Sequence, residues 1–183
     1  MRNSADRFGL PAQALHWLTA LCMLAAWLLG TVVDDFPRGE PRAQVLALHW
    51  SVGCLVLALA LGRLAMRATD RPPDDPPTMS RWEAGLARIA HLLLYAIMIA
   101  LPLTGFATAF AQGRTVSIFG LFTVPAMIGA DRALARSVKG VHELLANGML
   151  AVAGFHALAA LRHHFLLHDD VLRRMLPWGG GRA

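Results

Sequence analysis

Four stretches of this chain carry almost no charge and are long enough to cross a bilayer: Leu15 to Val33, Val45 to Met66, Ile89 to Ala111, and Val141 to Leu161, the last running on toward Leu167. A hydrocarbon core about 30 Å thick takes roughly 20 residues of helix. Helix is also the form in which a spanning segment satisfies its own backbone polar groups. The pattern therefore predicts an all-α membrane protein. Its four transmembrane helices, at about 14–33, 45–66, 88–111 and 140–166, form one membrane-embedded bundle over residues 1–183. The connections are Asp34 to Gln44, Arg67 to Arg81 with Pro72, Pro73, Pro76 and Pro77, and Gln112 to Gly140; each fits a membrane exit. Within the last, Val116 to Val124 is apolar but too short to cross. The segment at about 115–136 is expected to lie on the surface.

The charged residues orient the bundle. Eleven arginines (Arg2, Arg7, Arg63, Arg67, Arg71, Arg81, Arg88, Arg162, Arg173, Arg174 and Arg182) fall on one side, against six cations (Arg38, Arg42, Arg114, Arg132, Arg136 and Lys139) on the other. Positive-inside then places both termini in the cytoplasm of a multi-pass inner-membrane protein. The first run, entered through His16 and Trp17, is longer than a signal-peptide core and lacks a convincing cleavage site, so it reads as a retained anchor. Composition agrees: 56% hydrophobic and 16% charged residues, with a mean hydropathy of +0.47, exclude an ordinary soluble domain. The net charge of +5 sits beside the apolar runs, with no arginine-rich segment interleaved with aromatics, so nucleic acid is not an expected partner. The expected partner is the lipid bilayer.

Histidines in the apolar runs bring in chemistry. His142 and His156 lie fourteen residues apart on one run. At about 100° and 1.5 Å per residue they share a helix face and stand roughly 21 Å apart along the axis. Ionisable groups at such depth are rare and usually functional. The orientation puts His49 and His142 near the outer surface, and His16, His91 and His156 near the inner one. Bis-imidazole ligation of a haem needs two facing histidines. The outer level offers one such pair, and the inner level has a histidine to spare. Zinc or copper sites favour acids or cysteines beside histidine on adjacent turns. Here Glu143 is the only acid within the runs, and no His-x-x-x-His or Glu-x-x-His pattern occurs. Histidines serving a transported metal remain the remote alternative. Gly53, Gly148 and Gly154 would let a flat macrocycle approach the backbone. Cys22 and Cys54 lie in different runs, and no Cys-x-x-Cys-His is present, so a haem would be b-type; both cysteines read as small core residues.

The residues around these histidines carry a likeness. They include Ala14-Leu15-His16-Trp17-Leu18, Leu48-His49-Trp50-Ser51-Val52-Gly53, and Arg88-Ile89-Ala90-His91-Leu92 followed by Ala100-Leu101-Pro102-Leu103-Thr104-Gly105. Further along come Ser137-Val138-Lys139-Gly140-Val141-His142-Glu143, Gly154-Phe155-His156-Ala157, His163-His164-Phe165 and Leu172-Arg173-Arg174-Met175-Leu176-Pro177. Together these resemble the bacterial cytochrome b561 family over nearly the whole chain, with all five membrane histidines matching in order. That family is similar in architecture to the membrane cytochrome subunits of nickel hydrogenases and formate dehydrogenases.

The resemblance implies two haem b groups and electron transfer between the outer face and the quinone pool. The branch most resembled is a superoxide oxidase, which oxidises superoxide at the periplasmic face and reduces ubiquinone near the cytoplasmic side. Matched by position, His49 and His142 hold the outer haem, His16 and His156 the inner one, and His163 lies beside the quinone site. Lys139, one turn before His142, with Arg132 and Arg136 on the same segment, would attract superoxide or neutralise a propionate; the plain alternative is a solvated face bearing topology charges. Arg63 and Arg162 would serve propionates or a quinone carbonyl, or else snorkel to the interface. His91 is read as a polar contact near the inner haem rather than a ligand, and His164 and His168 as weaker candidates for the quinone region. Trp17, Trp50 and Trp82 are expected in the aromatic belt. A rival function keeps the di-haem bundle but couples it as a quinol-linked subunit to a periplasmic redox partner or a hydrogenase-like enzyme, docked on Gln112 to Gly140.

Overall fold

A computed structural model describes residues 2–178. Its main elements are the helices α1 (Leu10–Val32), α2 (Glu40–Thr69), α3 (Arg81–Ala111) and α4 (Arg132–Phe165), with a two-stranded sheet, β1 (Val116–Ile118) and β2 (Phe122–Val124), between α3 and α4. All four helices are long and apolar enough to cross a membrane. Only a small share of each apolar window is buried inside the protein, and side chains such as Leu21, Leu92, Leu144 and Phe155 face outward. In water such exposure would be prohibitive; in a bilayer it is the surface that lipid covers.

Each helix is longer than its apolar run, because hydropathy marks the lipid-buried part while capping chemistry sets the ends. Pro11 and Pro41 sit in the first turns of α1 and α2, where the missing N–H has no intrahelical partner to lose. At α3, Ser80 accepts from the Glu83 amide while the Glu83 carboxylate takes the Ser80 N–H, a reciprocal cap that starts the helix seven residues before Arg88. Asp131 accepts from the Ala133 and Leu134 amides and starts α4 at Arg132, so residues 132–139, read from sequence as connection, are helical.

The helices pack as two hairpins, α1 with α2 and α3 with α4, joined through α2 and α3. Cys22, Val56, Leu59, Ala60, Met98 and Met149 form the core between them at mid-depth. Both cysteines are free thiols. At the end of the bundle that the arginine count assigns to the outside, called the outer end below, Arg42 donates to the Asp34 and Phe36 carbonyls and closes the α1–α2 turn. At the inner end the C-terminal segment is tied to the N-terminal arm: Arg7 donates to the carbonyls of Leu176 and Pro177, Gln13 to Arg174 and Trp17 to Met175.

The β1–β2 hairpin turns through Phe119 (φ 49°) and Gly120 (φ 70°), with the Leu121 amide returning to the Ile118 carbonyl. Positive φ at both central residues is the turn that matches strand twist, and it usually takes Asn-Gly. Phenylalanine there costs about 1–2 kcal/mol. The turn is held because the Phe119 amide donates to Ser51 Oγ of α2 at 2.8 Å. Val116 and Ile118 are buried against Ala109, Trp50 and Phe106, so one face of this segment is packed into the bundle.

Candidate haem-binding site and its surroundings

His49 and His142 come from opposite hairpins and meet near the outer end with ring centroids 6.0 Å apart. His16 and His156 meet in the same way near the inner end, 6.3 Å apart. Two metal–imidazole bonds of about 2 Å, plus roughly 1 Å from each nitrogen to its ring centre, put trans ligands about 6 Å apart. His91 lies on the same helical hairpin as His156, with centroids 5.1 Å apart, too close for an iron between them.

The outer pair is oriented by backbone. His49 Nδ1 lies 2.9 Å from the Ala26 carbonyl oxygen, and His142 Nδ1 lies 3.1 Å from that of Leu101 and 3.0 Å from Thr104 Oγ1. A carbonyl can only accept, so Nδ1 carries the proton and Nε2 keeps its lone pair. Both rings sit at a carbonyl whose residue four further on is glycine, Gly30 and Gly105. A Cβ on Gly30 would stand 3.0 Å from His49 Cε1, and one on Gly105 3.5 Å from His142 Cε1. These glycines make room for the His49 and His142 rings.

A cavity of about 330 Å³ opens beside the two outer rings, lined also by Gly53 and Gly154. A Cβ added at either glycine would meet nothing within 4 Å, so their backbones face open space. Gly148 lies outside this lining. Trp50 lines the cavity and packs on the hairpin, a more interior place than the belt expected for it, whereas Trp17 and Trp82 are exposed. Trp27 also lines the cavity, and its indole N–H is buried with no hydrogen-bond partner among the described residues.

The inner pair is set differently. Arg63 Nη2 lies 3.1 Å from His16 Nδ1, and its guanidinium stands 5.4 Å from the centre of the Tyr95 ring. Arginine has only donors, so this nitrogen of His16 accepts. Trp17 sits edge-on to His16 at 5.2 Å, and its N–H is held by the Met175 carbonyl.

A prokaryotic cytochrome b561 family model matches residues 7–178. The chain is 32% identical over 180 residues to cytochrome b561 homolog 2 of Escherichia coli (strain K12), covering 95% of this chain and 93% of that protein. The chain belongs to the prokaryotic cytochrome b561 family. It is similar to the probable superoxide oxidase CybB of Yersinia pestis, at 36% identity over 89% of this chain and 92% of that one. Cytochrome b562 of Cereibacter sphaeroides is a further relative, at 29% identity over 88% and 90%. As a cytochrome b561 it is a multi-pass protein of the bacterial inner membrane that transfers electrons, and membership implies b-type haem. The residues fit that group: facing imidazoles about 6 Å apart and a cavity beside the outer pair bordered by glycine backbone.

The other candidates from the sequence are dispersed. Lys139 pairs with Glu143 at 3.2 Å on the exposed outer part of α4, and Arg132 and Arg136 are exposed on the same segment. Arg162 pairs with Glu83 at 3.0 Å across α3 and α4. His163 is buried, its Nδ1 2.5 Å from Asp169 Oδ2, and Thr78 donates to the same carboxylate. His164 is half-buried with Nδ1 unpartnered, and His168 is exposed at a positive φ. Sequence reasoning passed over Asp169, Thr104, Gly30 and Gly105. The spacing of Ala26 to Gly30 and of Leu101 to Gly105 was there to be read, but only the fold shows which carbonyl each histidine meets.

Proposed function

We propose that this cytochrome b561 binds two b-type haems, the outer between His49 and His142 and the inner between His16 and His156, and that it oxidises superoxide at the periplasmic face while reducing ubiquinone near the cytoplasmic one. The observation that carries the reading is the pair of imidazole couples at 6.0 Å and 6.3 Å, joined through α4. Superoxide as donor is supported by the likeness to the Yersinia pestis relative, a probable superoxide oxidase. The topology, with both termini cytoplasmic, rests on the arginine count.

Each haem, when bound, supplies a one-electron carrier. Two superoxide anions give up one electron each and leave as dioxygen; one ubiquinone takes both electrons and two protons to become ubiquinol. The protein's own residues do the rest. Nδ1 of His49 and of His142 is spent on a carbonyl, which orients each Nε2 and raises its basicity. Lys139, Arg132 and Arg136 hold positive charge near the outer end, raising the local concentration of an anion. At the inner end His163, fixed by Asp169, would hand a proton to a quinone oxygen through its other nitrogen. Arg63 and Arg162 supply donors for carboxylates or a quinone carbonyl, and His91 is a polar neighbour of His156.

The test is ubiquinone reduction by purified protein under a steady superoxide source. Reduction that is abolished by removing superoxide supports the reading. Consumption no faster than background, with haems that ubiquinol reduces readily, would assign the bundle to a partner-linked role instead. Lys139→Glu is expected to lower the superoxide rate about threefold at 10 mM salt, where screening reaches about 30 Å, and to leave it almost unchanged near 1 M, where it reaches about 3 Å. Equal rates at both salts would make Lys139 a partner of Glu143 only.

The ligand geometry gives another expectation. Gly30→Ala puts a methyl 3.0 Å from His49 Cε1 and pushes the ring off the Ala26 carbonyl. Outer-haem affinity should fall by about tenfold, the usual size of losing such a support, with the inner haem unaffected. Gly105→Ala, at an ordinary 3.5 Å, should be tolerated. Haem titration of the apoprotein followed by reduced-minus-oxidised spectra reads both.

A further inference from the structure

The segment between α3 and α4 has a property that neither the helices nor the haem sites require. From Thr115 to Ala130 it contains no charged residue, and Arg114 and Asp131 bracket it. Its hairpin leaves large apolar side chains uncovered: Phe119 is 52% exposed, Phe122 58% and Leu121 81%. For a loop in water this would be an aggregation hazard.

The hairpin does not cap the end of the bundle. After α3 the chain reverses at Gly113 (φ 69°) and runs back along α2, so that Val116 packs beside Trp50 and Cys54 and the Phe119 amide reaches Ser51. Ser51 is eleven residues into α2 and six beyond Val45, where the apolar run begins, or about 9 Å inside it. The turn therefore stands at hydrocarbon depth, level with the outer histidine pair. Non-helical backbone is tolerated there only where its polar groups are satisfied. Strand pairing between 116–118 and 122–124, the Leu121 amide on Ile118 and the Phe119 amide on Ser51 Oγ give partners to part of this backbone, and β1 is packed against α2. Ser51 itself is 1% exposed, a polar side chain whose hydroxyl is committed to this contact and to the Ala47 carbonyl.

We propose that the β1–β2 hairpin is a re-entrant element inserted into the outer leaflet, with Phe119, Leu121 and Phe122 covered by acyl chains rather than by water or a protein partner. The occupant follows from depth, from the absence of charge and from continuity with the lipid-facing helix surfaces on either side. Val116 on its inner face walls the outer cavity.

The native holoprotein in liposomes serves for the test. Photolysis of a bilayer-soluble diazirine should label Phe119, Leu121 and Phe122 to the same extent as lipid-facing Phe155, and several-fold more than Phe36 in the α1–α2 turn. Hydroxyl-radical oxidation, which needs water, should show the reverse order. Radical oxidation of Phe119 and Phe122 at the level of Phe36, without carbene labelling, would overturn the proposal in favour of a water-facing docking surface. Protection from both reagents, relieved on diluting the protein in lipid, would overturn it in favour of a contact with a second copy.

Discussion

His142→Ala is expected to abolish the outer haem and leave most of the inner one. The expected signal is loss of about half of the low-spin absorbance in reduced-minus-oxidised spectra, since bis-imidazole b-type haems absorb alike. In the proposed ligation His142 is the outer ligand contributed by the α3–α4 hairpin; alanine would leave the iron with one protein ligand and expose the Leu101 carbonyl and Thr104 hydroxyl to an empty slot. The inner couple shares α4 but lies fourteen residues away, about 21 Å along the axis, and the mid-depth core around Met98 and Met149 separates the levels. Superoxide-driven quinone reduction should fall to background, while quinol should still reduce the remaining haem. Retention of both haems would mean that the outer couple has another partner, and loss of both with an unchanged helical signal would mean that the sites load cooperatively.

Most of the fold was legible because a bilayer imposes a length and a composition on whatever crosses it. Leu15 to Val33 or Ile89 to Ala111 admits hardly any reading but a helix. What hydropathy cannot report is where a helix continues beyond lipid, since Ser80 with Glu83 and Asp131 extend α3 and α4 by hydrogen bonding alone. The segment at 116–124 was legible only as too short. Its alternation of buried Val116 and Ile118 is a strand signal spread over three residues, and Phe119-Gly120 is not the dipeptide that announces such a turn. The site shows the same division. Periodicity on one helix puts His142 and His156 on one face, and charge counting sorts the five histidines by depth. Choosing among His16, His91 and His156 needs distances between helices, which no single-helix period contains. Gly53 and Gly154 do border the outer cavity. The glycines that admit the His49 and His142 rings, Gly30 and Gly105, lie on partner helices and are ordinary small residues until the histidine opposite is known.

The inner level gives the sharpest contrast between neighbours. His156→Ala should remove the inner haem and spare the outer one, whereas His91→Ala should keep both, although the two rings lie only 5.1 Å apart. The reason is geometric: His16 and His156 face each other across the two hairpins at 6.3 Å, close to trans-ligand spacing, while His91 approaches His156 from the same hairpin and too closely for iron to lie between. Arg63 adds a second difference. It donates to His16 Nδ1, whereas each outer ring faces a carbonyl there. Coordination through Nε2 moves the proton of a neutral imidazole to Nδ1, which can no longer accept from a guanidinium. With haem bound, Arg63 would need another acceptor, and a haem carboxylate would be the natural one. Arg63→Gln should therefore keep the inner haem bound through His16 and His156 but make the ferrous form harder to reach, because a propionate charge loses its counterion. Redox titration at the inner haem's absorbance, with the outer haem as internal reference, separates the two roles. A lower inner potential with full occupancy supports a propionate partner, whereas an unchanged potential would leave Arg63 as a support for His16 and Tyr95 alone. Haem loss in His91→Ala, with His16→Ala still loaded, would transfer the ligand role to His91.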